Sequence, residues 1–184
     1  MSAFTLRDAT PADIPAITAI YRHAVLHGTA TFEVTPPDEA EMAARMQTLL
    51  TQNYPYIVAV SAAGEVVAYA YAGPFRARPA YRWSVEDSIY IDPSHHGKGI
   101  GRALLMRLLE LCTEKGFRQM IAVIGGSDHA PSIRLHERAG FGMIGVFEGS
   151  GFKFGRWIDT VFMQMRLGDG RHSLPDEQSY PGTL

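Results

Sequence analysis

Cysteine is nearly absent from this 184-residue sequence, with Cys112 its single instance. One thiol cannot close an internal disulfide, and that scarcity fits a reducing compartment. No apolar run approaches the ~18 residues that would cross a bilayer. The N-terminus also lacks the charged segment and apolar stretch of a signal peptide. Neither a membrane protein nor an exported one is expected, so the predicted location is the cytoplasm. An excess of charge of one sign is missing too: 17 Lys and Arg stand against 19 Asp and Glu, a net charge of −2. That balance excludes the broad basic patch of a nucleic-acid binder. No repeat and no low-complexity tract interrupts the chain. His23 and His27 lie four apart on a predicted helix, but no acidic or cysteine partner accompanies them. They read as a helix face, and no metal is expected.

What remains is an ordinary globular composition, 46% apolar and 20% charged, long enough for about one domain with its own core. A short strand is predicted over 4–7. Thr10, Pro11 and Asp13 then supply an N-cap, a first-turn proline and a first-turn acid. Ile14, Ile17, Ile20, Tyr21, Val25 and Leu26 keep one face of a helix apolar as far as Gly28. A loop carrying Phe32 leads to a second helix over 38–51, and residues 56–60 and 66–72 read as a hairpin. After an arginine-bearing loop (73–82) come a strand from Val85, a helix to near Gly116, a strand over 120–124 and a helix over 131–139. Strands over 142–147 and 157–166 close the pattern. A single α/β domain is expected over 1–168, with a mixed central sheet and helices on both faces. Residues 169–184 turn polar and proline-bearing, which predicts a loose tail.

The chemistry concentrates in residues 85–105, VEDSIYIDPSHHGKGIGRALL. A β-branched and aromatic strand is broken by Asp92-Pro93-Ser94 and followed by Gly97-Lys98-Gly99-Ile100-Gly101, which opens into an apolar helix. Successive amides at such a helix start, with the helix dipole behind them, suit a phosphate. Lys98 and Arg102 add charge there. The loop lacks the Ser or Thr of a P-loop after Gly97-Lys98, and its G-x-G-x-G spacing is not the dinucleotide fingerprint. It is instead similar to the pyrophosphate loop of the GCN5-related N-acetyltransferases (GNAT), Gln/Arg-x-x-Gly-x-Gly/Ala, with His96 in the first position.

Further motifs resemble one branch of that superfamily, the phosphinothricin and methionine sulfoximine acetyltransferases, across about 4–167. They are Tyr71-Ala-Gly-Pro-Phe75, Arg76-Ala77-Arg78, Tyr81-Arg82-Trp83-Ser84-Val85-Glu86, Arg134-Leu135-His136-Glu137 and 151–157 (GFKFGRW). The resemblance implies a GNAT fold, acetyl-CoA as cosubstrate and no metal. It also implies acetylation of the α-amine of a small amino acid or an analogue, by an enzyme that is commonly a homodimer. Glu86 matches the branch's catalytic carboxylate, while strand alternation turns Asp87 to the opposite face. His136 matches a histidine that is either base or acid. Backbone amides of Ile89, Tyr90 and Ile91 would face the thioester and pantetheine, and Gly97, Lys98, Gly99, Ile100, Gly101 and Arg102 the diphosphate. Asp128 or His129 stands where the family has an asparagine, and Arg138 is placed to reach a phosphate. Arg76 and Arg78, with Ala77 between them, suit an acidic substrate; Phe32, Tyr81 and Trp83 would wall its side chain, and Lys153 and Arg156 would close the site. Two other readings stay open: an acetyl-CoA sensor without turnover, and an acetyltransferase for protein amines or polyamines.

Overall fold

The computed structural model describes residues 4–178 and 181–182. Its elements follow the predicted order: β1 (Phe4–Asp8), α1 (Ile14–His27), α2 (Glu39–Thr51), β2 (Tyr56–Ser61), β3 (Val66–Pro74), β4 (Ser84–Ile91), α3 (Ile100–Glu114), β5 (Gln119–Gly125), α4 (Ala130–Ala139), β6 (Gly142–Lys153) and β7 (Arg156–Arg166). They build one seven-stranded sheet in the order β1-β2-β3-β4-β5-β7-β6. β4 and β5 form its parallel pair, joined by the α3 crossover, and the other neighbours are antiparallel.

Period-two alternation divides the sheet between two cores. Ala68, Ala70, Ala72 and Val85 face α3, against Leu104, Leu108 and Cys112. Tyr56, Val58, Tyr69 and Tyr90 face α1 and α2, against Ile17, Tyr21, Val25, Met42 and Met46. The alanines on one face and tyrosines on the other match a close-packed α3 and a more distant α1–α2 pair.

Three boundaries depart from expectation. A 3-10 turn at Pro11–Asp13 precedes α1, which starts at Ile14. β6 runs six residues past Phe147, continuing through an irregularity: the register shifts between Phe147 and Gly151, and Gly149 takes φ +56°. The segment expected as a loose tail is anchored. Arg118 donates from Nη1 to Ser173 Oγ at 2.8 Å and from Nη2 to Leu174 O at 3.2 Å, and Asn53 Nδ2 donates to Pro181 O at 3.2 Å. Residues 179–180 and 183–184 of that tail, and residues 1–3 of the predicted domain, lie outside the described residues.

Candidate active site

The site begins where the sheet forks. β4 and β5 stay in register from Ser84 opposite Gln119 to Asp87 opposite Ala122, and there the pairing stops. β4 nevertheless remains paired with β3 as far as Ile91, and β5 with β7 as far as Gly125. Phe75 N–H donates to Ser84 O and Asp92 N–H to Val67 O, which fixes the alternation between these bonds. Even-numbered residues of β4 turn their backbone to β3; odd-numbered ones turn it to β5. Ile89 and Ile91 therefore present main-chain groups to the opening. Tyr90 does not: its backbone lies in the β3 ladder and its side chain is buried against Tyr21 and Tyr69. The expectation of three consecutive donors is corrected to alternate ones.

At the open end lies the glycine turn. Gly97 (φ +74°) and Gly99 (φ +79°, the N-cap of α3) occupy the left-handed region, and a β-carbon on either would meet open space. Both conformation and clearance suit amides that take an anion. Gly101 has another reason to be glycine. Its β-carbon would lie 3.1 Å from Ile91 Cδ1 and 3.4 Å from Leu135 Cδ2, so it lets α3 close on β4 and α4. Ile100 is buried beneath it, and Lys98 and Arg102 are exposed at the turn. His96, in the position of the usual Gln or Arg, bonds Ile91 O through Nε2 at 3.2 Å and ties the turn to the end of β4. His129 caps α4, and its buried Nδ1 has no hydrogen-bond partner among the described residues. Burial holds the ring below the usual histidine range, with His96 acting in the same direction and Asp128 against it. An unpaired buried nitrogen fits a contact to pantetheine. Asp128 is turned away, paired to Arg156 at 3.2 Å. Arg138 is exposed one turn beyond Leu135.

Glu86 sits one residue before the fork, half-buried on the α1–α2 face. Burial and, next, the charge of Asp87 push its carboxyl up to about 7, against an opposing pull from Arg76. A carboxylate titrating there can accept a proton near neutral pH. Around it stands Tyr71, electrostatically coupled to Glu86 and raised above the usual phenol range mainly by burial. Arg76 lies with its guanidinium 5.1 Å from the centre of the Phe75 ring, and Tyr81 meets that ring edge-on at 5.9 Å. Ala77 and Arg78 are exposed on the same loop. Phe32, 39% exposed, reaches the far lip from the α1–α2 loop, where Thr29 Oγ1 donates to Gly125 O at 2.8 Å.

Two predicted site residues lie elsewhere. Trp83 lies in the turn just before β4, at the closed end of the β4–β5 pair. It stacks under Arg82 at 4.5 Å and lines a cavity of about 430 Å³ with Phe117, Arg118 and Pro175, away from the space over Glu86. His136 is 4% exposed and across the sheet from Glu86. Its Nε2 lies 3.0 Å from Asp87 Oδ2 and its Nδ1 2.8 Å from Ser132 O, while Phe141 meets the ring edge-on. Ser132 O can only accept, so Nδ1 carries a proton, and Nε2 shares its hydrogen bond with the Asp87 carboxyl. Burial pulls the pKa of the imidazole down, but the Asp87 bond and charge outweigh it and hold it above the usual histidine range. Both ring nitrogens are engaged within the fold, on the face of the sheet opposite Glu86. Asp87 as its partner had no signal in the sequence beyond its opposite facing.

Comparison with known proteins places this geometry. A family model described as an acetyltransferase (GNAT) domain matches residues 6–162. The phosphinothricin N-acetyltransferase of Alcaligenes faecalis is 48% identical, covering 95% of this chain and 88% of the relative. The L-methionine sulfoximine/L-methionine sulfone acetyltransferase of Pseudomonas aeruginosa is 45% identical over 95% of this chain and 100% of its own. The crystal structure of a phosphinothricin acetyltransferase from Sinorhizobium meliloti, in complex with acetyl-CoA, superposes with a TM-score of 0.95 at 55% identity. It covers 99% of this chain and 98% of that one.

Proposed function

Because the chain belongs to the GNAT family of acetyltransferases, we propose that it transfers the acetyl group of acetyl-CoA to the α-amine of a small amino acid or analogue. The phosphinothricin, methionine sulfoximine and methionine sulfone class suits the site best. The observation that carries this is Glu86, a half-buried carboxylate pushed up to about 7 at the mouth of the fork, with the Arg76 cation beside it.

The step follows from elementary chemistry. An α-ammonium with pKa near ~9 must lose a proton before it can attack a thioester. Glu86 accepts that proton, and the freed nitrogen adds to the acetyl carbonyl. The carbonyl oxygen becomes an anion and takes hydrogen bonds from the Ile89 or Ile91 amides, which have no β5 partner to satisfy them. The adduct nitrogen still carries one proton too many; as collapse breaks the C–S bond, that proton passes to the departing sulfur, releasing CoA thiol and the N-acetyl product. The diphosphate rests on the amides of the Gly97–Gly99 turn, with Lys98 and Arg102 in reach; His129 holds the pantetheine and Arg138 supports a phosphate. Arg76 and Arg78 receive the substrate's acidic group, with Ala77 leaving room between them. Tyr81 and Phe32 flank its side chain, and Arg156 borders the same side.

The active form proposed is a homodimer. Val146, Phe147, Phe152 and Trp157 leave exposed apolar side chains on the β6–β7 hairpin, with Phe147 60% and Trp157 69% exposed. A surface of that kind on an edge strand is normally covered. The buried single thiol Cys112 supports a cytoplasmic setting.

The test is a panel of free amino acids, methionine sulfone, phosphinothricin and polyamines, each with acetyl-CoA and a thiol-release readout. Methionine sulfone or phosphinothricin should lead, and Glu86→Gln should lower kcat by about a hundredfold or more while acetyl-CoA still binds. Turnover of a polyamine in preference would remove the reason for the arginines. Undiminished turnover by Glu86→Gln would remove the base.

A further inference from the structure

Lys153 is a lysine in an unusual place. At the end of β6 it is 4% exposed, and no carboxylate pairs with it among the described residues. Its ammonium is satisfied by main chain instead. Nζ donates to Gly28 O at 2.8 Å and to Thr31 O at 2.8 Å, and lies 5.0 Å from the centre of the Phe154 ring. Burial lowers its pKa, with Glu33 opposing. Desolvating an ammonium is costly, so the arrangement persists because the two carbonyls and the ring compensate it together. Both carbonyls belong to the α1–α2 loop, more than a hundred residues away in the chain.

That loop carries Phe32, which leans on the same strand. A β-carbon on Gly151, two residues before Lys153, would strike the Phe32 ring, and one on Gly125 would strike Thr29 O. Glycine at each position therefore lets the loop lie directly on the ends of β5 and β6. From the helix side the loop is tied independently. Tyr21 donates to Glu33 Oε1 at 2.9 Å and bonds the Thr31 hydroxyl at 2.9 Å, and Arg45 donates to Glu33 at 2.6 Å. On the sheet side Lys153 fastens it to β6, beside the Thr29 Oγ1 bond to Gly125 O on β5.

We infer that Lys153 is a positioning residue for the amine substrate: a latch that seats the α1–α2 loop on β6 and fixes Phe32 at the open end of the fork. This rests on the acetyltransferase reading above and adds to it where substrate affinity is set. The acetyl-CoA contacts lie on other elements, so the latch acts on one substrate and not on the other.

The experiment is Lys153→Met in the full-length protein, with methionine sulfone as the amine. The KM for methionine sulfone should rise about tenfold, with kcat within about threefold and the acetyl-CoA Kd by calorimetry within about twofold. Amide hydrogen exchange over residues 28–33, measured with acetyl-CoA bound and no amine, should accelerate. Should Lys153→Met fail to fold, Gly151→Ala displaces Phe32 from the other side and should give the same selective rise in KM, abolished in a Phe32→Ala background. Wild-type KM and exchange in the variants would overturn the latch. So would an acetyl-CoA Kd that rises in step with KM, which marks general loosening. If the wild-type protein acetylates no amino-acid amine, the catalytic reading fails by itself, and the exchange measurement still decides the latch.

Discussion

Glu86 and Asp87 are consecutive carboxylates on one strand, and the sheet between them gives them opposite lives. Glu86 faces the α1–α2 side with no hydrogen-bonded cation among the described residues, so burial leaves its charge expensive and its proton affinity high. Asp87 faces α3 and α4 and is bonded to the His136 ring, 3.0 Å away. An unpaired buried charge is a reactive group; a paired one is a strut. The same residue chemistry thus yields the proposed base on one face and an anchor for α4 on the other. The anchor is not inert toward the base, since the Asp87 charge helps hold Glu86 protonated.

The contrast breaks most visibly in stability. His136→Ala leaves the Asp87 carboxylate buried without its partner and should cost about 3–5 kcal/mol in urea unfolding. Glu86→Gln should move stability the other way. The folded-state pKa of Glu86 is raised above its unfolded value, so its favourable contribution is complete below the unfolded pKa and is lost as pH rises through about 7. At pH 8 the wild type carries that loss and the glutamine variant does not, so the variant should be more stable by about 3 kcal/mol, at about 1.4 kcal/mol per pKa unit. Near pH 4 the two should unfold alike. A Glu86→Gln protein less stable than wild type at pH 8 would mean that the carboxylate is paired after all.

The smallest effect sharpens the coupling. The acid limb of the kcat profile reports Glu86 in the substrate complex. Asp87→Asn removes a charge that raises the pKa of Glu86 and should shift the limb to lower pH; Arg76→Ala removes one that lowers it and should shift the limb to higher pH. Each displacement should stay under about one unit, and the Arg76 effect should fade at high salt because that side chain is exposed. Shifts in the same direction for both variants would refute an electrostatic origin.

Glu86 was legible because its strand, its break and its glycine turn are contiguous and carry strong local signals. Arg76 and Tyr81 were legible as members of motifs and Phe32 as an aromatic residue in a loop; Phe32 lies against Gly125 and Gly151, and the Arg76 charge acts on Glu86. Trp83 was misplaced by the same reasoning: adjacency in sequence suggested adjacency in the site, and the turn before β4 sets it beside Phe117 and Arg118 instead. The pairing of Asp87 with His136 and the seating of Lys153 left no local trace. Their partners are 49 and more than 120 residues away, and one set of partners is backbone carbonyl, which no side-chain pattern encodes.

By itself the sequence determined the element order, the two apolar faces of the sheet and the glycine turn at the start of α3. These follow from periodicity, β-propensity and backbone freedom, all of which act within a few residues. Only the tertiary structure decided which carboxylate stays unpaired, which histidine gives up both nitrogens and which lysine is buried. Those outcomes depend on desolvation and on hydrogen-bond partners that exist only once distant segments are packed together.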